Sequence, residues 1–546
     1  MTKSRLLILS IIGSALLFVA FVGFGLHRGH SIDYNLSWHR QFSDLFWNGH
    51  FLPKFGSDLG FGFGGMDLFF YAPFPFYVSA TFGEISVLFS GTPNALAAGW
   101  AWLFIFSGIA MYFCARDHFS RNTSAIVAVL YVLAPYHLWI DWFLRSALGE
   151  AAAFVFVPIV FMGLLRLVEK NSGFWLLVFG LTGLALSHLP SLALVLIYFV
   201  PLFLLLSYGT LTPQEFWKRL LKGLMASLLA AALSAFYWLP ALSLLGNYSS
   251  DILRIDHMSP ENWLFPCFDC VNSSSMVGLL LTIGAFHACF VAAFFSPMKQ
   301  ANTSLSKGIF VILIIFVILN SAIAYPIWKY TPLDFIQFPW RAFVILEIVI
   351  LLGLGYLIEI KFPRYKILLL LFLLIFLRFA VFFVPYAERG EMYSGEFAPM
   401  VTALEYMPQE SSVLLVEHLA ERGMPPAAVT LFQGDYLSDI RNSVDFGGTI
   451  MGSSRGYEVV LSNTDVEIPI FYNPLFEAIS KEGVVLEATS SERGLLIIEP
   501  RASNFSYYLP MQRSEKVGNL ISVFGLLLAA LLLALTWYRN RSPKAA

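Results

Sequence analysis

A run of about twenty apolar residues recurs along this chain, and that recurrence constrains the fold more than any single motif does. A helix needs roughly 20 such residues to cross the hydrocarbon layer of a bilayer. Runs of this kind occupy 6–26, 93–115, 124–142, 148–167, 173–188, 190–208, 223–241, 275–296, 308–325, 341–360, 366–386 and 517–538. About twelve transmembrane helices follow, and the expected fold class is an α-helical polytopic membrane protein. Composition agrees: 58% hydrophobic residues, 13% charged residues and a mean hydropathy of +0.70 do not describe a soluble domain. A net charge of -2 gives no reason to expect nucleic acid as a partner.

Charge sets the expected orientation. Every second short connection is basic: Lys3/Arg5, Arg116/Arg121, Arg166/Lys170, Lys218/Arg219/Lys222, Lys299/Lys307, Lys361/Arg364/Lys366 and Arg539/Arg541/Lys544. By the positive-inside rule these are cytoplasmic, and so are both termini. The register holds only if the apolar stretch 69–90 does not cross. Its prolines, Pro73 and Pro75, and its acid, Glu84, fit a re-entrant or interfacial element on the outer face. Residues 1–26 read as an uncleaved signal anchor, since no small-residue cleavage site precedes the polar stretch. The expected organisation is a transmembrane domain over 1–386 with a long first outer loop, 27–92. An extracytoplasmic β-rich domain follows over 387–516, then a final helix and cytoplasmic tail over 517–546. The β assignment rests on alternating runs at 457–462, 465–472, 484–488, 494–499 and 505–509, punctuated by Gly, Ser, Asn and Pro.

The segment His27–Tyr77 is too polar for lipid and too aromatic for a floppy linker. Asp33 lies just beyond the first span, where a carboxylate can take a proton from an attacking hydroxyl; the plain alternative is a capping or turn aspartate. His30, Asp33 and His39 match no zinc spacing and read as solvated or interfacial. The run Gly60, Gly62, Gly64, Gly65 follows no strand and opens no helix, so it is no dinucleotide fingerprint. These glycines let the backbone turn tightly or approach a ligand.

Charges at membrane depth mark further candidates. Asp141 and Arg145 end the third span and Glu150 lies inside the next; an intramembrane acid is a functional hypothesis by default, while a structural ion pair is the equal alternative. His188 sits in the tight turn Leu186–Ser191. Lys329 and Arg341 flank an aromatic loop containing Trp328, Phe338 and Trp340, where arginine suits phosphate oxygens and snorkelling is the plain reading. Glu347 and Arg378, inside spans, pair with each other or with neighbours. Cys267 and Cys270, with no second pair, read as a local disulfide rather than a metal knuckle.

Taken together, several segments resemble a known group. They are Asp33 through Tyr77, with WNGHFLPKF and FFYAPFPFY; DWFLRSALGEA at 141–151; LSHLPS at 186–191; FIQFPWR at 335–341; EIPIFYNP at 467–474; and VGNLIS at 517–522. In this order they are similar to bacterial polytopic proteins of the 6-pyruvoyl-tetrahydropterin synthase related group, and to the broader GT-C class of lipid-linked-sugar glycosyltransferases. Asn473-Pro474-Leu475-Phe476 departs from the group's Pro-Gly-Trp, which speaks against a ligand role for that turn. The resemblance implies an inverting glycosyltransferase of a bacterial inner membrane. A polyprenyl-phosphate sugar donor and an envelope glycan or lipid acceptor would meet on the outer face. Asp33 would be the catalytic base. Arg145, Lys329 and Arg341 would hold the donor phosphate, with Asp141, Glu150, His188 and Tyr71 around them. No cofactor is expected, and the absence of a D-x-D motif favours metal-independent chemistry. The alternative on the same fold is a non-catalytic lipid-glycan transporter or an envelope-assembly scaffold. A transporter calls for inverted repeats with broken helices, and the sequence displays no such halves. A metal-dependent phosphotransferase is the third reading.

Overall fold

The computed structural model describes residues 29–90, 94–248 except 209, 303–361, 365–388, 446–461, 467–499 and 502–541, with short pieces between them. The expected spans 6–26 and 275–296, and the Cys267/Cys270 pair, lie outside the described residues. Among the described residues six helices are long and apolar enough to cross a membrane: Ala95–Arg116, Arg121–Arg145, Leu148–Lys170, Leu189–Ser207, Pro339–Glu359 and Arg513–Tyr538. The chain is a multi-pass membrane protein. Two expected spans are shorter helices, Phe174–Ser187 and Ser304–Leu319.

The span expected over 223–241 is broken in the structure. Its helix breaks at Ser234, and the halves Pro213–Leu233 and Ala235–Asn247 bend by 74°. The Ser234 hydroxyl donates to the carbonyl of Ala230 at 2.8 Å, an acceptor it shares with its own N–H at 3.2 Å. The Phe236 N–H freed by the break donates to Ser522 Oγ at 2.9 Å, and that hydroxyl donates to the Ala232 carbonyl at 2.9 Å. Irregular backbone at membrane depth persists only where a neighbour satisfies it. Here the neighbour is the last helix. It approaches through Gly518, where a Cβ would stand 2.6 Å from the Ala235 carbonyl oxygen.

The stretch 69–90 folds into the short helix Asp67–Phe70 and then an apolar helix over Phe74–Phe89, with a π-wound turn at Ser79–Gly83. The second helix runs antiparallel to Ala95–Arg116. Gly83 lies against the backbone of Ala95, and Gly99 lies against Ser79. Leu88 and Phe89 at its end are exposed.

Beyond the helices lies a seven-stranded antiparallel sheet. Its strands are β1 (Gly448–Ser453), β2 (Gly456–Leu461), β3 (Ile468–Phe471), β4 (Glu477–Ser480), β5 (Val485–Ser490), β6 (Leu495–Glu499) and β7 (Asn504–Tyr508). They lie in the order β1-β2-β7-β4-β5-β6-β3. The five alternating runs read from the sequence each overlap a strand. In β2, alternate residues Tyr457, Val459 and Leu461 are buried.

The sheet packs on the first loop at the glycine run. The Phe471 N–H donates to the Phe63 carbonyl at 3.0 Å, and Tyr457 Oη donates to the Ser57 carbonyl at 3.0 Å. Phe55 stacks edge-on against Tyr457 and Phe476. Gly64 has φ +94°, and a Cβ there would stand 2.7 Å from the Phe55 ring, in the space where Tyr457 closes on the loop. At Gly64 the backbone thus approaches the protein's own sheet. At the 473 turn, Asn473 is buried between the hydroxyls of Tyr248 and Tyr507 and ties the sheet to Tyr248, just beyond the turn Leu245–Asn247 that follows the short helix Ala235–Leu244. That is a packing role.

Candidate functional site

The site grows from one irregularity. Pro135 has no N–H to donate, and the helix that follows is π-wound over Tyr136–Arg145. The Tyr136 N–H donates to Glu347 Oε1 at 2.7 Å, across from the helix Phe343–Glu359. The π segment ends on Ser146 in the left-handed region, φ +52°. The chain then turns directly into the helix Leu148–Lys170, with Glu150 in its first turn. A carboxylate there faces the positive end of the helix dipole.

This turn brings Asp141, Arg145 and Glu150 together. Arg145 Nη1 stands 2.6 Å from Asp141 Oδ1 and 2.7 Å from Glu150 Oε2. Tyr136 Oη donates to the other Glu150 oxygen at 2.6 Å. Arg145 lies 4.9 Å over the Trp340 ring. From the next residue, Arg341 brings its Nε to 3.6 Å from Glu150 Oε2 and donates through Nη1 to the Ile336 carbonyl at 2.8 Å. Two arginines and two carboxylates thus sit together and balance in charge, as buried ions must.

Three polar atoms in this cluster are buried without a hydrogen-bond partner among the described residues: Arg341 Nε, Trp340 Nε1 and Asp141 Oδ2. Unsatisfied buried donors are rare and call for an explanation. Tyr71 approaches from the first loop and accepts the Gly149 N–H at 3.0 Å. Its burial pushes the phenol up to about 12, so it stays protonated. Position 149 has to be small: a Cβ would meet the Ser187 carbonyl at 2.9 Å and Tyr71 Oη at 3.0 Å. His188 lies against the same glycine, but its Nδ1 pairs with Ser191 Oγ at 2.7 Å and caps the helix Leu189–Ser207. The turn-histidine reading accounts for it.

Asp33 stands in the first turn of the helix Ile32–Trp47. That helix starts on the end of the π segment. The His30 and Ser31 N–H groups donate to the carbonyls of Leu144 and Arg145 at 3.0 and 2.9 Å, and Asn35 Nδ2 donates to the Ser146 carbonyl at 2.5 Å. Asp33 is thereby anchored beside the Arg145 backbone, yet its carboxylate forms no ion pair with either arginine. Its Oδ1 is buried without a hydrogen-bond partner among the described residues.

Lys329 is exposed on the short helix Tyr325–Tyr330, whereas Arg341 is buried. The histidines also go separate ways. His39 is buried against Ser79 Oγ at 2.9 Å, whereas His30 is exposed beside Ser31. Glu347 accepts from a neighbour, the Tyr136 N–H; the side chain of Arg378 lies outside the described residues. Sequence reasoning left Tyr136, Trp340 and Asp67 without roles. Asp67 is fully buried, and its Oδ1 accepts from Trp38 Nε1 and from the Ala403 N–H, both at 2.8 Å. Trp38 in turn lies tilted against Tyr71, with ring centroids 4.7 Å apart.

A polytopic helical scaffold with a buried, charge-balanced cluster beside a loop-borne carboxylate defines the class of protein. The chain belongs to the 6-pyruvoyl-tetrahydropterin synthase related domain family of membrane proteins, which it matches over residues 68–386. It is also 26% identical over 241 residues to an uncharacterized protein of Lactococcus lactis subsp. cremoris, covering 42% of this chain and 38% of that one. Among solved structures, the arabinofuranosyltransferase AftD from Mycobacteria aligns at 15% identity and a TM-score of 0.44, covering 71% of this chain and 27% of that one. A mutant of the same enzyme aligns with the same score and identity over 69% and 27%. The chain thus spans less than half the length of these relatives.

Proposed function

We propose that the protein is an integral-membrane inverting glycosyltransferase that moves a sugar from a polyprenyl-phosphate donor to an envelope glycan or lipid acceptor. The observation that carries the reading is the pair of buried donors left open at Arg341 Nε and Trp340 Nε1. A donor phosphate accepts both. Arg145 is already shared by Asp141 and Glu150, so in this reading it sets the position of the cluster while Arg341 makes the phosphate contact. Guanidinium suits this role because its charge persists at any pH and its N–H fork matches phosphate oxygens.

Asp33 is the base. Its open carboxylate oxygen takes the proton of the acceptor hydroxyl as that oxygen bonds to the anomeric carbon. The carbon–oxygen bond to phosphate breaks on the opposite face, and the phosphate leaves with the electron pair. Its new negative charge falls on Arg341, in a site where burial strengthens the interaction. Phosphate is a competent leaving group, so no general acid is assigned. With the basic connections cytoplasmic, the site opens on the outer face of a bacterial inner membrane.

The test is Asp33→Asn, which keeps size and loses the base. Full-length protein with a polyprenyl-phosphate sugar is expected to lose transfer at least 100-fold while still binding the donor. Transfer at the wild-type level removes Asp33 from the mechanism.

A further inference from the structure

Where the first loop meets the sheet, a cleft encloses about 420 Å³. Ser57, Asp58 and Gly62 form its loop wall, and Phe446, Ile450 and Tyr457 face them. This volume falls within the roughly 300–1,000 Å³ of small-molecule sites.

The walls are fixed to each other. Tyr457 Oη donates to the Ser57 carbonyl at 3.0 Å and lies 3.4 Å from that of Gly62. Gly452 keeps the opposite wall close, because a side chain there would collide with Ser57 Oγ. The Asp58 N–H is held by Gln41 Oε1 at 2.8 Å. The Asp58 carboxylate itself is exposed, with Ser57 Oγ 3.5 Å away. Phe446 and Ile450 are only half-buried and supply an apolar surface.

We infer that this cleft binds a neutral sugar residue of the acceptor glycan; the acceptor role rests on the glycosyltransferase reading. A free carboxylate accepts two sugar hydroxyls, and an aromatic ring covers the C–H face of a pyranose. Among the described residues the lining contains no lysine or arginine, so a phosphate or an acidic glycan meets Asp58 there as a like charge. The cleft is also registered to the base. Gln41, which holds Asp58, stands eight residues along the helix from Asp33, a rise of about 12 Å. A short oligosaccharide bridges that distance, so a chain gripped at Asp58 presents its end toward Asp33.

The experiment uses full-length protein in detergent on an array of printed neutral and acidic oligosaccharides, with a short-chain polyprenyl phosphate as a separate binding probe. Wild type is expected to bind neutral glycans. Asp58→Ala and Phe446→Ala, both at partly exposed positions, are expected to weaken that signal at least 10-fold while polyprenyl-phosphate binding and the melting temperature hold. The inference is overturned if wild type binds no neutral glycan, or if both variants bind as wild type does. Neutral-glycan binding that depends on Asp58 in a protein that ignores polyprenyl phosphate sustains the cleft and removes the donor reading instead.

Discussion

The Nε of Arg341 lies 3.6 Å from the carboxylate of Glu150, an ion pair without a hydrogen bond. Arg145 contacts the same carboxylate at 2.7 Å. The two arginines therefore differ in what their removal does. Arg341→Met is expected to weaken polyprenyl-phosphate binding about 10- to 100-fold, the worth of a charge-assisted hydrogen bond. Arg341→Lys recovers only part, since an ammonium cannot reproduce the fork. Arg145→Met strands the buried Asp141 carboxylate and leaves Glu150 to Arg341 and Tyr136, and is expected to lower stability by about 3–5 kcal/mol. Titration with the lipid phosphate, alongside thermal unfolding, separates the two outcomes.

Glu347 acts through Tyr136. Its Oε1 accepts the first N–H after Pro135, and Tyr136 in turn orients Glu150. Glu347→Leu leaves that N–H buried and unpaired, at about 1–3 kcal/mol. Glu347→Gln keeps a carbonyl acceptor and is expected to melt within a few degrees of wild type. Equal melting temperatures for the leucine and glutamine variants would remove the role.

Lys54 gives the first loop a pH dependence. It is buried with Nζ 4.9 Å over the Phe69 ring. Burial lowers its pKa to about 8, Arg455 adds to the effect and Glu515 opposes it. An unfolded lysine titrates near 10.4. Between about pH 8 and 10.4 the unfolded chain binds the extra proton, so the Lys54 contribution to stability rises with pH in that window. Below pH 8 the buried charge is a burden, and Lys54→Met relieves it by an amount on the order of 3 kcal/mol. Melting curves of the two proteins from pH 7 to 10 are expected to converge as pH rises. A constant gap would exclude the assignment.

Gly64 sets the docking of the sheet. Alanine there meets both the positive φ and the ring of Phe55, at about 1–3 kcal/mol for the overpacking alone. Gly64→Ala is expected to loosen the sheet from the loop while the helical scaffold stays folded. Faster proteolytic release of the sheet is the readout, and an unchanged rate contradicts it.

The features legible in sequence were those with a high solvation cost. Asp141, Arg145 and Glu150 stand out because charge at membrane depth is expensive, and the structure pairs them. The partnership with Arg341 was not legible, since 191 positions separate it from Glu150 and only the fold closes that gap. Glu347 carried the same signal of cost, but its partner is a backbone N–H, which has no sequence signature. In the sheet, β2 and β7 announced themselves by alternation. β1 is exposed along nearly its whole length and β4 has four residues, so neither has a period to read. The bend at Ser234 lay inside an uninterrupted apolar run, and what permits it lies in another helix.

That bend has a consequence for biogenesis. The Phe236 amide and its acceptor, Ser522, are 286 residues apart. At about 5–20 residues per second of synthesis, roughly 15–60 s separate their emergence from the ribosome. Throughout that interval the Phe236 N–H lacks the acceptor it has in the finished fold. A nascent chain that stalls before this helix therefore carries a polar group at the break without its native partner.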